Sequence, residues 1–197
     1  MYSSSRIISV DSSGTVYKRD QYPYKETDFL KKCNAYSQHK ILLERMLIES
    51  HLSYVNLRLG NVYGGKTPEQ IIHGAINTWV YNLRQHKRIE LTSPLVTFQG
   101  YSYIKDLSNA LDKIFNSDVS KSIFNLAYGR PVTLGTILHR LRTHLSTLNL
   151  VEATKVIYDN YVLNTDLITS TINWKPKYYI KLGVRDCISV NTNKQLC

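Results

Sequence analysis

Tyr36 and Lys40, in Ala35-Tyr36-Ser37-Gln38-His39-Lys40, are the residues of this 197-residue chain whose types and spacing point most directly to chemistry. Residues at i and i+4 share one face of a helix. There an ammonium can stabilise a phenolate and lower a tyrosine pKa that is about 10 in the free residue. A phenol tuned in this way takes or gives a proton near neutral pH. Ser12-Ser13 closes a β-like run upstream, and a serine hydroxyl delivered from that strand can hold a substrate oxygen beside the phenol. Such a set suits proton transfer coupled to hydride transfer. The spacing alone also describes an ordinary exposed pair on a helix, so the elements that carry these residues decide between the two readings.

Arg6–Asp11 reads as a short apolar strand that ends at Ser12-Ser13-Gly14, and a Lys-, Asp-, Tyr- and Pro-rich loop follows over 18–32. Asn34 is placed to cap a helix running to about Ser50, with Ile41, Met46 and neighbouring leucines forming an apolar stripe opposite its charges. Ser53–Leu59 reads as a second strand, turned by Gly60-Asn61. Thr67-Pro68-Glu69-Gln70 is a helix start, with a Thr cap, Pro at N1 and Gln at N3, and that helix is expected to reach Gln85. Short strands are expected at 88–91, 101–104 and 122–127, and helices at 105–116, from Thr133 to about Leu145, at 166–172 and at 179–189. Strands alternate with helices, so the class is α/β with a largely parallel sheet. No internal repeat or low-complexity segment occurs.

Length and composition bound the rest. The chain fits one domain, or one domain plus a small lobe, and 43% apolar with 20% charged residues is a globular composition. No uninterrupted apolar stretch approaches the ~18–20 residues of a membrane span. The first residues have no apolar run or cleavage site of a signal peptide. Cys33, Cys187 and Cys197 give neither a disulfide framework nor C-x-x-C metal spacing, which suits a reducing, cytoplasmic setting. The net charge of +10 is compatible with nucleic acid, an anionic membrane surface or an anionic small substrate such as a nucleotide diphosphate. Its densest groups, 84–88 and 139–144, are short and accompany no nucleic-acid motif, so they read as solvated faces.

Other polar residues have plainer readings. His39 points about 100° away from Lys40 around the helix. His51, His73, His86, His139 and His144 lack metal-ligand spacing and take surface or structural roles, and no metal site is expected. Asn125 is expected to satisfy backbone groups near its strand, Trp174 to anchor a C-terminal lobe, and Cys33 to be an inert thiol.

Six segments follow one another along the chain: Ser12-Ser13-Gly14-Thr15-Val16-Tyr17; Tyr36-x-x-x-Lys40; Leu57-Arg58-Leu59-Gly60-Asn61-Val62-Tyr63-Gly64; Tyr101-Ser102-Tyr103-Ile104-Lys105-Asp106-Leu107; Phe124-Asn125-Leu126-Ala127-Tyr128-Gly129; and Asn173-Trp174-Lys175-Pro176. Over nearly the whole chain this order resembles the extended short-chain dehydrogenase/reductase family, in particular its NAD-dependent nucleotide-sugar epimerases and dehydratases. The resemblance implies Tyr36 as general acid/base and Lys40 as the residue that holds the nicotinamide ribose and tunes the phenol. It implies Ser13 as the hydroxyl on the reacting sugar oxygen, with Thr15 beyond it on the substrate side. Gly60 matches backbone passing close to the nicotinamide, and Asn61 and Gln99 match substrate contacts. The implied reaction is a transient oxidation: tyrosinate takes a hydroxyl proton, hydride passes to NAD (NADP not excluded), and hydride returns after rotation or loss of water. The implied partners are a nucleotide-diphosphate sugar and either a second copy or a complementary nucleotide-binding half; a membrane partner is not expected, and nucleic acid is the weaker alternative.

Departures from the family pattern shape these expectations. No segment has the G-x-G-x-x-G spacing that cradles a pyrophosphate, and the acidic residue that would grip the adenosine ribose is absent with it. The expected fold is therefore the C-terminal part of a Rossmann-like doubly wound parallel sheet, starting near its fifth strand, plus a small α/β substrate-binding lobe. Residues 1–66 would be the remnant of the nucleotide-binding domain and 67–197 mostly the lobe, with interleaved sheet elements. Gln99-Gly100 stands where the family has Arg-Asp, and glutamine cannot supply arginine's charge to a diphosphate. Asn164 stands where aspartate is common. Two functions follow, a truncated epimerase or dehydratase and a non-catalytic remnant that binds a nucleotide sugar or a partner half. An unpaired, apolar sheet edge at Arg6–Asp11 is expected in both.

Overall fold

The computed structural model describes residues 5–12, 16–17, 22–31, 34–65, 73–143, 149–152 and 160–192; the side chains of 190–192 are not described. Its centre is a parallel sheet of β1 (Arg6–Ser12), β2 (Ser53–Leu59) and β7 (Ser122–Leu126), in the order β1-β2-β7. β2 is the middle strand and is buried on both faces, as its nearly continuous buried run requires. Val55, Leu57 and Leu59 point to one face. They pack with Phe124 and Leu126 of β7, with Leu107, Ala110 and Ile114 of helix α3 (Ile104–Phe115), with Ile168 of α5 (Asp166–Ile172), and with fully buried Trp174. The Trp174 indole N–H donates to the Asp106 carbonyl at 3.3 Å, while the Asp106 carboxylate accepts from the Lys177 and Tyr178 amides. Trp174 is a packing anchor as expected, but it packs into the core of the central sheet and not into that of the lobe.

The opposite face of the sheet is polar. Asn56 and Arg58 alternate with the apolar set, and Asn125 lies beside Arg58 in register. Helix α1 (Ala35–Glu49) covers this face with Ser37, Ile41 and Glu44. Glu44 receives Arg58 Nη2 at 2.5 Å and Nε at 2.8 Å, and Asn56 Nδ2 at 2.8 Å. Arg58 Nη1 donates to the Tyr17 hydroxyl, which donates to Asn125 Oδ1, and Asn125 Nδ2 donates to the Tyr24 carbonyl. The buried stripe of α1 therefore differs from the expected one. Leu42, Leu43, Met46 and Ile48 are exposed, because the sheet beneath the helix offers charged and amide groups that must be matched by Glu44. Asn34 caps α1 in a reciprocal capping box with Ser37.

A second layer forms the lobe. β3 (Asn61–Tyr63) pairs in parallel with β6 (Tyr101–Tyr103), β4 (Ile89–Leu91) with β9 (Leu150–Glu152), and β5 (Phe98–Gln99) antiparallel with β8 (Val132–Thr133). Helices α2 (Ala75–Arg84), α4 (Leu134–Arg142) and α6 (Ile180–Thr192) pack around Ile76, Trp79, Ile137, Leu141 and Val184. Two expectations change here. Asn61 opens a strand instead of finishing a turn: its N–H donates to the Gly100 carbonyl at 2.8 Å, drawing the chain off β2 toward β6. The described part of the helix expected from Thr67 begins only at Ala75, since Gly74 at φ +80° sets His73 and Gly74 outside it, and Thr67–Gln70 lie outside the described residues. Among the described residues no helix is long and apolar enough to cross a membrane.

Candidate functional site

The carboxyl ends of β1 and β2, the first turns of α1 and the start of α2 enclose an open cleft of about 460 Å³. Tyr36 and Lys40 enter it from α1, Asp11 and Ser12 from β1, Gly60 and Asn61 from the β2–β3 junction, and His73 and Gly74 from the segment before α2. Crevices outside the carboxyl ends of parallel strands are where open α/β sheets bind ligands. Lys40 Nζ lies 5.7 Å from the centre of the Tyr36 ring and donates to the Val10 carbonyl at 3.2 Å. Tyr36 is half exposed, whereas Tyr17, on the same face of the sheet, is sealed in and its phenol is pushed up to about 12 by burial, despite Arg58 beside it. Of these two tyrosines, Tyr36 alone is open to a ligand.

Gly60 is required for its own geometry. A Cβ there would stand 2.8 Å from the Gly100 carbonyl oxygen and 3.0 Å from the Ala127 Cβ. The bare backbone lets Gly60 bond to Leu126 while Asn61 bonds to Gly100, so the cleft floor and the lobe meet without a gap.

A second cleft of about 340 Å³ adjoins the first through Gly74, and Gln99, Ala75, Thr78, Trp79 and Glu90 are among its lining residues. Asn61 Nδ2 donates to Gln99 Oε1 at 2.6 Å, linking a residue of one cleft to a residue of the other. Tyr36, Lys40, Gly60 and Asn61 thus come together in one cleft and Gln99 in its neighbour. Ser13, Thr15 and Cys33 lie outside the described residues; Ser12, the last residue of β1, lines the first cleft.

Two residues at the cleft escaped the sequence reading. Asp11 is 6% exposed and pairs with Lys40 at 3.4 Å, its Oδ1 otherwise without a hydrogen-bond donor among the described residues. Its only signal in the sequence was an acid at the end of an apolar strand. His73, read there as a surface or structural residue, stands in the wall facing α1. Burial raises the Asp11 carboxyl above its ordinary 3.8, more than Lys40 lowers it. The folded chain then holds that proton more tightly than the unfolded chain, so stability falls as pH rises from 3.8 through the raised value. Asp11→Asn is expected to melt at a higher temperature than the wild type at neutral pH, with the gap closing on acidification below 3.8. A lower melting temperature for the variant at neutral pH, measured by circular dichroism, would contradict this account.

The family model described as NAD dependent epimerase/dehydratase family matches residues 3–127. The chain belongs to that family. A dTDP-4-dehydro-6-deoxyglucose reductase of Escherichia coli is 24% identical over 186 residues, 91% of this chain and 59% of the reductase. The UDP-glucose 4-epimerase of Thermotoga maritima, solved with UDP-glucose, superposes with a TM-score of 0.85 at 18% identity, covering 95% of this chain and 63% of the epimerase. The dTDP-glucose 4,6-dehydratase of Bacillus anthracis, solved with NAD, gives 0.84 at 16% identity, covering 97% of this chain and 63% of the dehydratase. The likeness to these structures is one of fold: a Rossmann-like α/β architecture. The chain spans about 60% of the length of these relatives.

The NAD implied by the family meets a divided set of residues. The cleft offers a donor in Lys40, the buried Asp11 carboxylate paired with it, and backbone at Gly60 unshielded by a side chain, a set suited to a ribose. Toward the pyrophosphate and adenosine the sequence offers no Gly-rich loop. The residues fit one end of the dinucleotide.

Proposed function

We propose that this chain carries the acid/base and substrate-binding part of a nucleotide-sugar epimerase or dehydratase and works with a nucleotide-binding unit that supplies the missing pyrophosphate loop. The observation that carries the reading is the convergence of Tyr36, Lys40, Gly60 and Asn61 on one cleft at the carboxyl ends of β1 and β2. Residues 1–66 hold the Ser/Tyr/Lys set and 67–197 the substrate lobe, with β7 interleaved into the central sheet.

NAD, when bound, supplies the hydride acceptor and later the hydride donor. The Tyr36 Oη takes the proton of the sugar hydroxyl to be oxidised and returns it when the carbonyl is reduced. Lys40 Nζ, held by Asp11 and the Val10 carbonyl, keeps positive charge against the phenol ring and donates to the ribose. Ser13 holds the reacting sugar oxygen, with Thr15 beyond it. Asn61 and Gln99, already bonded to each other, present amide groups to the rest of the substrate.

The test is turnover. The chain is mixed with a separately expressed Gly-rich half from a relative, NAD, and UDP-glucose or a dTDP-sugar, and the product is followed by NMR. A 4-epimer or 4-keto sugar formed only when both halves are present is the expected result. No product from any of these sugars by a complex shown to assemble would overturn the catalytic reading. The second reading, a non-catalytic remnant that only docks a partner half, is favoured by one observation: the α1 surface with Leu42, Leu43 and Met46, and Ile7 and Val10 of β1 at the sheet edge, are exposed. It predicts assembly without product.

A further inference from the structure

A nucleotide sugar lying across the two clefts brings a diphosphate past their junction at Gly74, and the charged groups there are few. Among the described residues, the acids and bases lining both clefts are Asp11, Lys40, His73 and Glu90. The Lys40 charge is balanced by Asp11, 3.4 Å away, and its Nζ also donates a hydrogen bond to the Val10 carbonyl. Glu90 adds an exposed negative charge to the second cleft. Among the described residues two carboxylates face one ammonium across the groove, so a diphosphate finds little charge attraction there and needs a directed donor. Gln99, in the second cleft, is neutral and has its side-chain oxygen engaged by Asn61.

His73 differs from all of these. It precedes Gly74, the residue common to both clefts, and its ring is exposed. No hydrogen bond or ion pair engages that ring among the described residues. The positive φ of Gly74 interrupts helical geometry just before α2, which sets residue 73 in the cleft wall instead of in a helix. An imidazole N–H in that place can donate to a phosphate oxygen, and a hydrogen bond to a charged acceptor is among the stronger ones available.

We infer that His73 is the phosphate contact of this groove, binding the diphosphate of a nucleoside-diphosphate sugar whose hexose lies against Tyr36 and whose nucleoside occupies the cleft of Trp79 and Thr78. The inference rests on the nucleotide-sugar reading above and gives that substrate class a specific anion-binding residue. In this chain a histidine on the wall opposite α1 does what Gln99 cannot.

The experiment is an NMR titration of the full chain with UDP and, separately, with uridine, for the wild type, His73→Ala and His73→Lys. UDP is expected to bind the alanine variant about tenfold more weakly than the wild type, the loss of one hydrogen bond to a charged group. His73→Lys is expected to restore the affinity, and uridine to bind all three proteins alike. The assignment is overturned if His73→Ala binds UDP as the wild type does, or if uridine binding falls in parallel, which would make the ring a mere wall of the cleft. A wild-type chain that does not bind UDP also overturns it, while the acid/base reading stands or falls separately on the turnover of the assembled halves.

Discussion

Glu44→Ala is expected to cost about 3–5 kcal/mol of folding stability, the usual penalty for removing one partner of a buried ion pair. Glu44 and Arg58 are 4% and 3% exposed, and Glu44 meets Arg58 through two hydrogen bonds at 2.5 and 2.8 Å. Burial pulls the Arg58 pKa down, but the hydrogen bonds and charges of Glu44 and Tyr17 together raise it by more, so the guanidinium stays charged. With Glu44 gone, that charge keeps, among the described residues, the Tyr17 hydroxyl and the Glu26 carbonyl as hydrogen-bond acceptors, and Asn56 Nδ2 loses its acceptor. A domain of this size has roughly 5–15 kcal/mol in all, so the loss is a large share of its stability. Urea unfolding followed by circular dichroism measures the loss. The double variant Glu44→Leu/Arg58→Met should recover a large part of it, because no charge is then left buried. A single variant that unfolds at the wild-type urea concentration would refute the assignment of this pair as the clamp of α1.

The clamp matters to the site because Tyr36, Lys40 and Glu44 follow one another at four-residue steps along α1. Fixing Glu44 on β2 fixes the rotation of the helix and, one and two turns earlier, the direction of Lys40 and Tyr36. Little of this was visible in the sequence. The start of α1 was legible from Asn34, and β2 and α5 were legible to the residue, the one as Ser53–Leu59 turned by Gly60 and the other as a short helix ahead of Asn173-Trp174-Lys175-Pro176. The face that α1 buries was not. Periodicity counts apolar residues, and here the helix packs through a serine, an isoleucine and a glutamate while its leucines face out. The two- and three-residue strands β3, β5, β8 and β9 were missed or read as turns for a related reason: each exists through a partner distant in sequence, and none is long enough to show alternation. At the site, the residue types of Tyr36 and Lys40 carried their own signal. Asp11 and His73 became visible only when the chain brought β1 and the segment before α2 to the same cleft.

Tyr36→Phe is expected to lower kcat of the assembled enzyme by about 10²–10⁴-fold, the range that a positioned general acid/base supplies, while leaving KM close to the wild type. The phenol is half exposed, and among the described residues its recorded contact is Lys40 over its ring, so loss of one hydroxyl should leave the fold within about 0.5 kcal/mol of the wild type. This separates it from Glu44→Ala, which loses activity by losing the fold. Lys40→Met should reduce kcat as well, and it also removes the ammonium that balances Asp11, so its stability should depend more steeply on pH than that of Tyr36→Phe. Steady-state turnover and thermal melts on the two variants distinguish these behaviours. Wild-type kcat from Tyr36→Phe would move the proton transfer to another group in the cleft. Equal losses of kcat and melting temperature would make Tyr36 a packing residue, and the convergence of its neighbours on the cleft would then have to be explained by binding alone.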